Sequence, residues 1–145
     1  MSTPFSLQKI LDVKEHEKYL AETAYADSLE TFEAKATELY EQLKRKEELE
    51  QRNREQIQAG TAIMQIQQTE KTLAFLEKQI EQLELQTKRA RRDMTDKERF
   101  LQMKSIDVKK YERMKELEAE KTADQEKKDE LHFLDDISLQ QFVRK

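Results

Sequence analysis

Residues that break helices are almost absent from this chain. Its 145 residues include one glycine, Gly60, and one proline, Pro4, whereas an average protein carries about 7% Gly and about 5% Pro. β-Sheets and α/β folds need many tight turns, and these two residues serve such turns best. The sequence therefore predicts an all-α fold of two long helices and argues against sheets.

Gly60 divides the chain into two helices of unequal length. Thr3 and Pro4 suit the start of the first helix, because Pro is favoured at the first helical position after a capping residue. Gly60 suits its end, and Thr61 suits the cap of a second helix. We predict a single coiled-coil hairpin domain over 1–145, with helix 1 at about 4–58, a turn at 59–61 and helix 2 at about 62–142.

Composition and periodicity favour a coiled coil over a compact core or a disordered chain. Hydrophobic residues make up 36% of the chain and charged residues 40%, while globular domains usually carry roughly 45–50% apolar residues. Such polarity also occurs in disordered chains, but here the apolar residues recur at spacings of three and four, as in a heptad seam. The predicted seam includes Leu11, Lys18, Tyr25, Leu29, Phe32, Ala36, Leu39, Leu43, Asn53 and Ile57 in helix 1, and Ile66, Leu73, Leu76, Ile80, Leu83, Thr87, Ala90, Met94, Leu101, Val108 and Tyr111 in helix 2.

The two seams predict how the helices align in an antiparallel pair. Facing residues of such a pair have numbers with a constant sum, and a turn centred on residues 59 and 60 requires a sum of 119. With that sum Leu43 faces Leu76, and both are apolar. Glu15 then faces Lys104, so that a polar position in one seam meets an opposite charge in the other.

Helix 2 is predicted to extend beyond helix 1, so its end has no partner within the hairpin. Residues 116–130 hold 10 charged residues in 15, and large apolar side chains return after them. An apolar stripe without an intramolecular partner usually has an intermolecular one. Asp135 and Asp136 could form a metal pair, but we favour a solvated face or a partner contact. The apolar residues of this end are Leu131, Phe133, Leu134, Ile137, Leu139, Phe142 and Val143.

The sequence lacks the residues that most enzymes and cofactor sites need. It has no cysteine, which excludes disulfides and cysteine-ligated zinc, and one glycine cannot form a phosphate-binding loop. A slender coiled coil offers no cleft that would perturb a carboxylate pKa for acid–base chemistry. We therefore predict that the protein is not an enzyme and has no cofactor, and that His16 and His132 are ordinary surface or seam residues.

Charge and hydropathy narrow the partners further. The formal net charge is −4, whereas nucleic-acid binding needs a basic excess. The apolar runs are too short to span a bilayer, and the N-terminus has no signal-peptide pattern, so a cytoplasmic location is expected. The basic cluster KRARR at 88–92 admits two interpretations. It could contact phosphate or anionic lipid, or, as we favour, it pairs with the acidic first helix and is otherwise solvated.

Three segments of the chain resemble the flagellar export protein FliJ family. They are FSLQKILDVKEHEK at 5–18, LEKQIEQLELQ at 76–86 and KKDELHFLDDISLQQFVRK at 127–145, and the resemblance extends over the whole chain. It implies a soluble antiparallel coiled coil of the flagellar type III export apparatus, similar to the two-helix stalk of rotary ATP synthases. It further implies three partners: the hexameric export ATPase ring, the cytoplasmic domain of the membrane export gate, and export chaperones.

The resemblance also implies where the partners bind. The family's contact with the export gate lies on the second helix soon after the turn, which corresponds to Leu76, Ile80 and Leu83 here. We expect the end of helix 2, with the start of helix 1, to enter the ATPase ring. The implied location is the cytoplasm, peripherally on the inner face of the cell membrane at the flagellar base. The residues expected to contact the ring are Leu131, Phe133, Leu134, Asp135, Asp136, Ile137 and Phe142.

Other functions share the same predicted fold. A structural tether would join two proteins without changing the turnover of either, and a chaperone-like or chaperone-escort protein would hold export substrates or their chaperones. The equivalent stalk of a type III secretion injectisome is a third alternative. Stimulation of a hexameric ATPase distinguishes a stalk from a tether and from a chaperone.

Overall fold

The computed structural model describes residues 5–144, which form two α-helices and no strand. Helix α1 is Gln8–Gln58, with 51 residues, and helix α2 is Ile63–Arg144, with 82 residues. The two helices pack against each other in opposite directions, because Glu17 early in α1 contacts Lys104 of α2, and Gln56 near the end of α1 contacts Thr69 near the start of α2. The predicted all-α fold of two long helices, the second longer than the first, is confirmed.

Helix α1 begins a few residues later than its predicted start. The backbone N–H of Gln8 donates to the Phe5 carbonyl at 3.0 Å, and the N–H of Leu11 donates to the Leu7 carbonyl at 2.9 Å. The residues from 5 to 7 therefore precede the regular helix as a turn. The predicted cap at Thr3 and Pro4 lies outside the described residues.

Gly60 ends helix α1 in a Schellman motif. Its φ is 68°, in the left-handed region that glycine adopts without a steric cost. The N–H of Thr61 donates to the Gln56 carbonyl at 3.0 Å, and the N–H of Gly60 donates to the Ile57 carbonyl at 3.2 Å. These two bonds define the motif and satisfy carbonyls that the end of a helix leaves open. The chain thus turns at its lone glycine.

Helix α2 begins after Ala62, and Thr61 does not cap it as predicted. The N–H groups of Gln65 and Ile66 both donate to the Ala62 carbonyl, at 3.0 and 3.2 Å. A carbonyl that accepts the first bonds of a helix belongs to the N-cap residue. The connection between the helices therefore covers residues 59–62, one residue more than the predicted turn.

The longer connection shifts the alignment of the two helices from the predicted one. An ion pair joins Glu17 to Lys104, and another joins Lys46 to Glu77. The numbers in these pairs add to 121 and 123, above the predicted 119. Lys104 thus contacts Glu17, where the sequence had suggested Glu15. The physical reason is that a connection centred between residues 60 and 61 requires facing residues to have a larger sum.

One of the two predicted heptad series of α1 is displaced by one residue. The series that contains Leu11 lies at the interface as predicted, and Leu11 is buried. The other series passes through Ala21 and Ser28, which are also buried, so Leu43 and Ile57 are 39% and 55% exposed. The prediction placed the large side chains of Leu43 and Ile57 at the interface. The structure has the small side chains of Ala21 and Ser28 in this series, and small side chains permit two helices to pack closely.

Contacts divide the chain into two compact units. One contains the residues up to 20 and those from 102 onward, and the other contains residues 21–101. All the buried side chains that α2 contributes belong to the predicted seam. The buried residues are Ala21, Ser28, Leu76, Ile80, Leu83 and Thr87 in the unit 21–101, and Leu11 and Val108 in the other.

Candidate functional surfaces

The three residues expected to contact the export gate lie in the interface between the helices. Leu76, Ile80 and Leu83 are 3%, 5% and 8% exposed. Their spacing of four and three places them on one face of α2, and that face packs against α1. Their side chains therefore hold the hairpin together, and a partner that docks on this part of α2 would contact exposed neighbours.

Exposed apolar side chains do surround these buried residues. Phe75 and Leu85 on α2 are 63% and 50% exposed, and Tyr40 on α1 is 67% exposed. Sequence reasoning did not select them, because the heptad pattern draws attention to the seam. Their signal was available, since a large apolar residue just outside a heptad seam has no reason to be buried within the hairpin.

The residues next to the turn form a second exposed apolar group. Ile57, next to the last residue of α1, is 55% exposed. Ile63 and Met64, the first two residues of α2, are 73% and 81% exposed. Single exposed apolar residues are ordinary in proteins, but three within eight residues of the chain are a candidate contact surface. They lie in the same compact unit as Phe75 and Tyr40.

Polar side chains line the interface in the last turns of α1. The Oε1 atom of Gln42 and the Oδ1 atom of Asn53 are buried and accept no hydrogen bond from the described residues. The hydroxyl of Thr69 donates to Oε1 of Gln56 at 2.9 Å across the two helices. Buried polar atoms without partners reduce stability, so Gln42 and Asn53 weaken the interface where they lie.

The end of α2 exposes nearly all of its large apolar side chains. The side chain of Ile137 is partly buried, and those of Asp135 and Asp136 are exposed to solvent. The structure therefore leaves the predicted ring-contact residues free to meet a partner, and it places them all on one helical segment. The exposed fractions are 60% for Leu131, 63% for Phe133, 51% for Leu134, 61% for Leu139 and 79% for both Phe142 and Val143.

An ion pair holds the start of α1 against α2. Nζ of Lys104 donates to Oε2 of Glu17 at 3.0 Å, and Lys14 adds a longer contact to the same carboxylate at 3.6 Å. The hydrogen bond from Lys104 is the main reason that the pKa of Glu17 lies below its ordinary value. Because the Glu17 side chain is about one-third exposed, solvent weakens this contact.

Three further features bear on possible sites: the acidic side chains, the surface depressions and the hydropathy of the helices. No group of three or more His, Cys, Asp or Glu side chains within 5–144 is placed to hold a metal ion, and this applies to Asp135 and Asp136. Three depressions on the surface are each lined by residues of α2 alone. In the same part of the chain, neither helix has a segment that is long and apolar enough to span a membrane.

The basic cluster at 88–92 contacts α1 through one residue and is otherwise exposed to solvent. Arg91 alone reaches α1, where its guanidinium carbon lies 5.4 Å from the centre of the Phe32 ring. Lys88, Arg89 and Arg92 are exposed and make no ion pair within 4 Å with any residue between 5 and 144. The contact with α1 is therefore a single cation–π interaction, and three cations remain on the surface.

Comparison with known proteins identifies the family of this hairpin. The family model described as "Flagellar FliJ protein" matches residues 3–145. The chain belongs to the FliJ family. It is 32% identical to the flagellar FliJ protein of Bacillus subtilis (strain 168) over 143 residues, which cover 99% of this chain and 97% of that protein. No solved structure matches it.

Membership of the family has direct consequences for the function. FliJ proteins are associated with flagellar export, and this chain is one of them. The resemblance stated from the sequence is thereby confirmed, and so is an association with the export apparatus.

Proposed function

We propose that this chain is the stalk of the flagellar type III export apparatus, which inserts into the hexameric export ATPase ring, stimulates ATP hydrolysis and links the ring to the membrane export gate. The observation that carries the proposal is the end of α2. Six of its large apolar side chains are more than half exposed, and no α1 residue is available to cover them.

The end of α2 is the proposed contact with the ring. Burying one such Leu or Phe side chain in a partner contributes roughly 1.5–3 kcal/mol, so a few of them suffice for specific insertion. The apolar side chains of Leu131, Leu134 and Phe142 would contact the inner wall of the ring. Asp135 and Asp136 would meet basic side chains there, with Phe133 and Ile137 beside them.

The exposed residues near Leu76, Ile80 and Leu83 are the proposed contact with the cytoplasmic domain of the gate protein. The three buried leucine and isoleucine side chains would support this surface from within the hairpin. Phe75, at 63% exposure, would make the direct contact. A protein with these two contacts would act in the cytoplasm, peripherally on the inner face of the membrane at the flagellar base. Export chaperones are a further proposed partner.

Two variants separate the two contacts in one experiment. The three proteins are the full chain, a chain truncated after Glu130, and the Phe75→Ser variant. The activity of the export ATPase is measured with each of them. Calorimetry measures how tightly each binds the cytoplasmic domain of the gate protein. We expect the truncated chain to lose ATPase stimulation but keep gate binding. We expect Phe75→Ser to do the opposite. Circular dichroism should show an intact hairpin in both, because the altered residues are exposed.

The outcomes distinguish the stalk from its alternatives. If the full chain binds the ring but leaves its turnover unchanged, the chain is a tether. If the truncated chain stimulates fully while Phe75→Ser does not, the turn end enters the ring, and the assignment of the two ends is wrong. Stimulation of an injectisome ATPase in place of the flagellar one would favour the related secretion system.

A further inference from the structure

The outer side of α2 carries a basic surface that the stalk proposal does not use. Residues 76, 80, 83 and 87 face α1, and with 3.6 residues per turn the opposite side of the helix contains Lys88, Arg89, Arg92 and Arg99. We call these four residues the outer basic face. All four are exposed, and all lie in the unit 21–101.

The outer basic face forms no ion pair with the described residues. None of its four side chains forms an ion pair within 4 Å with any residue from 5 to 144. Two carboxylates, those of Asp93 and Asp96, share this half of the helix. Residues 21–58 of α1 carry 10 acidic and 6 basic side chains, so α1 is net negative in this unit, whereas residues 88–99 of α2 are net positive.

The shape and chemistry of this face indicate its partner. It is the convex surface of one helix, and the large apolar side chains exposed beside it are Leu85, at 50%, and Phe100, at 49%. A partner helix needs an apolar stripe at spacings of three and four, which this face lacks. A flat anionic surface needs only accessible cations, and basic helix faces of this kind bind anionic lipids. We infer that the outer basic face binds the anionic phospholipid headgroups of a membrane surface.

The charge difference between the helices would also orient the chain on such a membrane. The headgroups attract the outer side of α2 and repel the net negative α1. Leu85 lies at heptad spacing from Arg92 and Arg99, so it can enter the headgroup layer while the arginines contact phosphate. The contact is reversible and peripheral, because four charges and one apolar side chain do not anchor a protein permanently.

Sedimentation of the full chain with vesicles tests this inference. The vesicles contain equal parts of phosphatidylglycerol and phosphatidylcholine, and vesicles of phosphatidylcholine alone serve as the neutral reference. Each basic side chain near an anionic surface contributes about fivefold in affinity. We therefore expect R89Q/R92Q/R99Q to bind the anionic vesicles about 100-fold more weakly than the natural chain. R89K/R92K/R99K should retain the binding, because the charge is kept.

A matched control removes the same charge from the other helix. Lys44, Arg45 and Arg52 are exposed on α1 in the same unit, and K44Q/R45Q/R52Q should change vesicle affinity by less than about twofold. An equal loss in both triple variants would show that net charge alone matters, and would overturn the inference. It would also be overturned if the natural chain bound polyglutamate through these arginines but not the anionic vesicles, since the face would then recognise acidic polypeptides. No ATPase enters this assay, so it can fail independently of the stalk proposal.

Discussion

Two segments of helix α2 have similar chemistry and opposite surroundings. Residues 76–87 and residues 131–143 are both helical and both carry several large apolar side chains. In the first segment Leu76 and Ile80 are almost completely buried, whereas in the second Leu134 and Phe142 are 51% and 79% exposed. The difference teaches that α2 buries an apolar residue only where α1 is present to receive it.

The length of α1 decides which segment is covered. With the alignment set by the Glu17–Lys104 contact, α1 starts at Gln8 opposite the residues near 114 of α2. Beyond Tyr111, only Glu118, Thr122 and Ile137 are even partly buried. Apolar burial in the first segment therefore stabilises the hairpin, while the apolar side chains of the second are available to a partner.

The largest expected effect contrasts one leucine from each segment. Leu76→Ala should lower the free energy of unfolding by about 2–3 kcal/mol, because it removes buried methyl groups and leaves a cavity in the seam. Leu134→Ala should change it by less than about 0.5 kcal/mol, because the side chain is already half in water. Urea denaturation followed by circular dichroism measures both. Equal losses would mean that the end of α2 is packed in solution.

A smaller effect is expected where the seam itself is polar. The buried Oε1 of Gln42 accepts no hydrogen bond from the described residues, so Gln42→Leu should raise the free energy of unfolding by about 1 kcal/mol. Gln86→Leu is the control, because Gln86 is exposed, and it should leave stability within about 0.5 kcal/mol. A destabilised Gln42→Leu would indicate that the amide has a partner, such as an ordered water molecule, that apolar substitution removes.

The smallest effect concerns the ion pair at the start of α1. The Lys104 hydrogen bond lowers the pKa of Glu17. The ion pair therefore stabilises the fold above the ordinary glutamate pKa, and this stabilisation disappears as the pH falls through the lowered pKa of Glu17. Glu17→Gln should slightly lower the urea midpoint at neutral pH, and its difference from the natural chain should vanish in acid. Glu15→Gln, at an exposed position, should show no such pH dependence. Identical pH profiles for the two variants would contradict the contact.

Much of the fold could be read from local features of the sequence. One glycine in the middle of the chain predicts one turn, because a left-handed residue at the end of a helix is far more favourable for Gly than for any other residue. The seam of α2 was predicted because its apolar residues, such as Leu76 and Val108, are regularly spaced and unambiguous. The exposed end of α2 followed from the unequal lengths of the two helices.

Other features depended on how the two helices meet. The interface of α1 includes Ala21, Ser28 and Gln42 in preference to Leu43, because four connecting residues shift the alignment and small side chains permit close approach. The same shift joins Lys104 to Glu17.

No pattern within one helix predicts such contacts, because they depend on both helices at once. The sequence by itself determined two long helices, the turn at Gly60 and the surplus length of α2, because hydrogen bonding and periodicity within one helix act over a few residues. Only the tertiary structure decided which side of α1 is buried, that Lys104 contacts Glu17, and that Lys88, Arg89 and Arg92 make no ion pair with α1, because each of these depends on the distance between side chains from two helices.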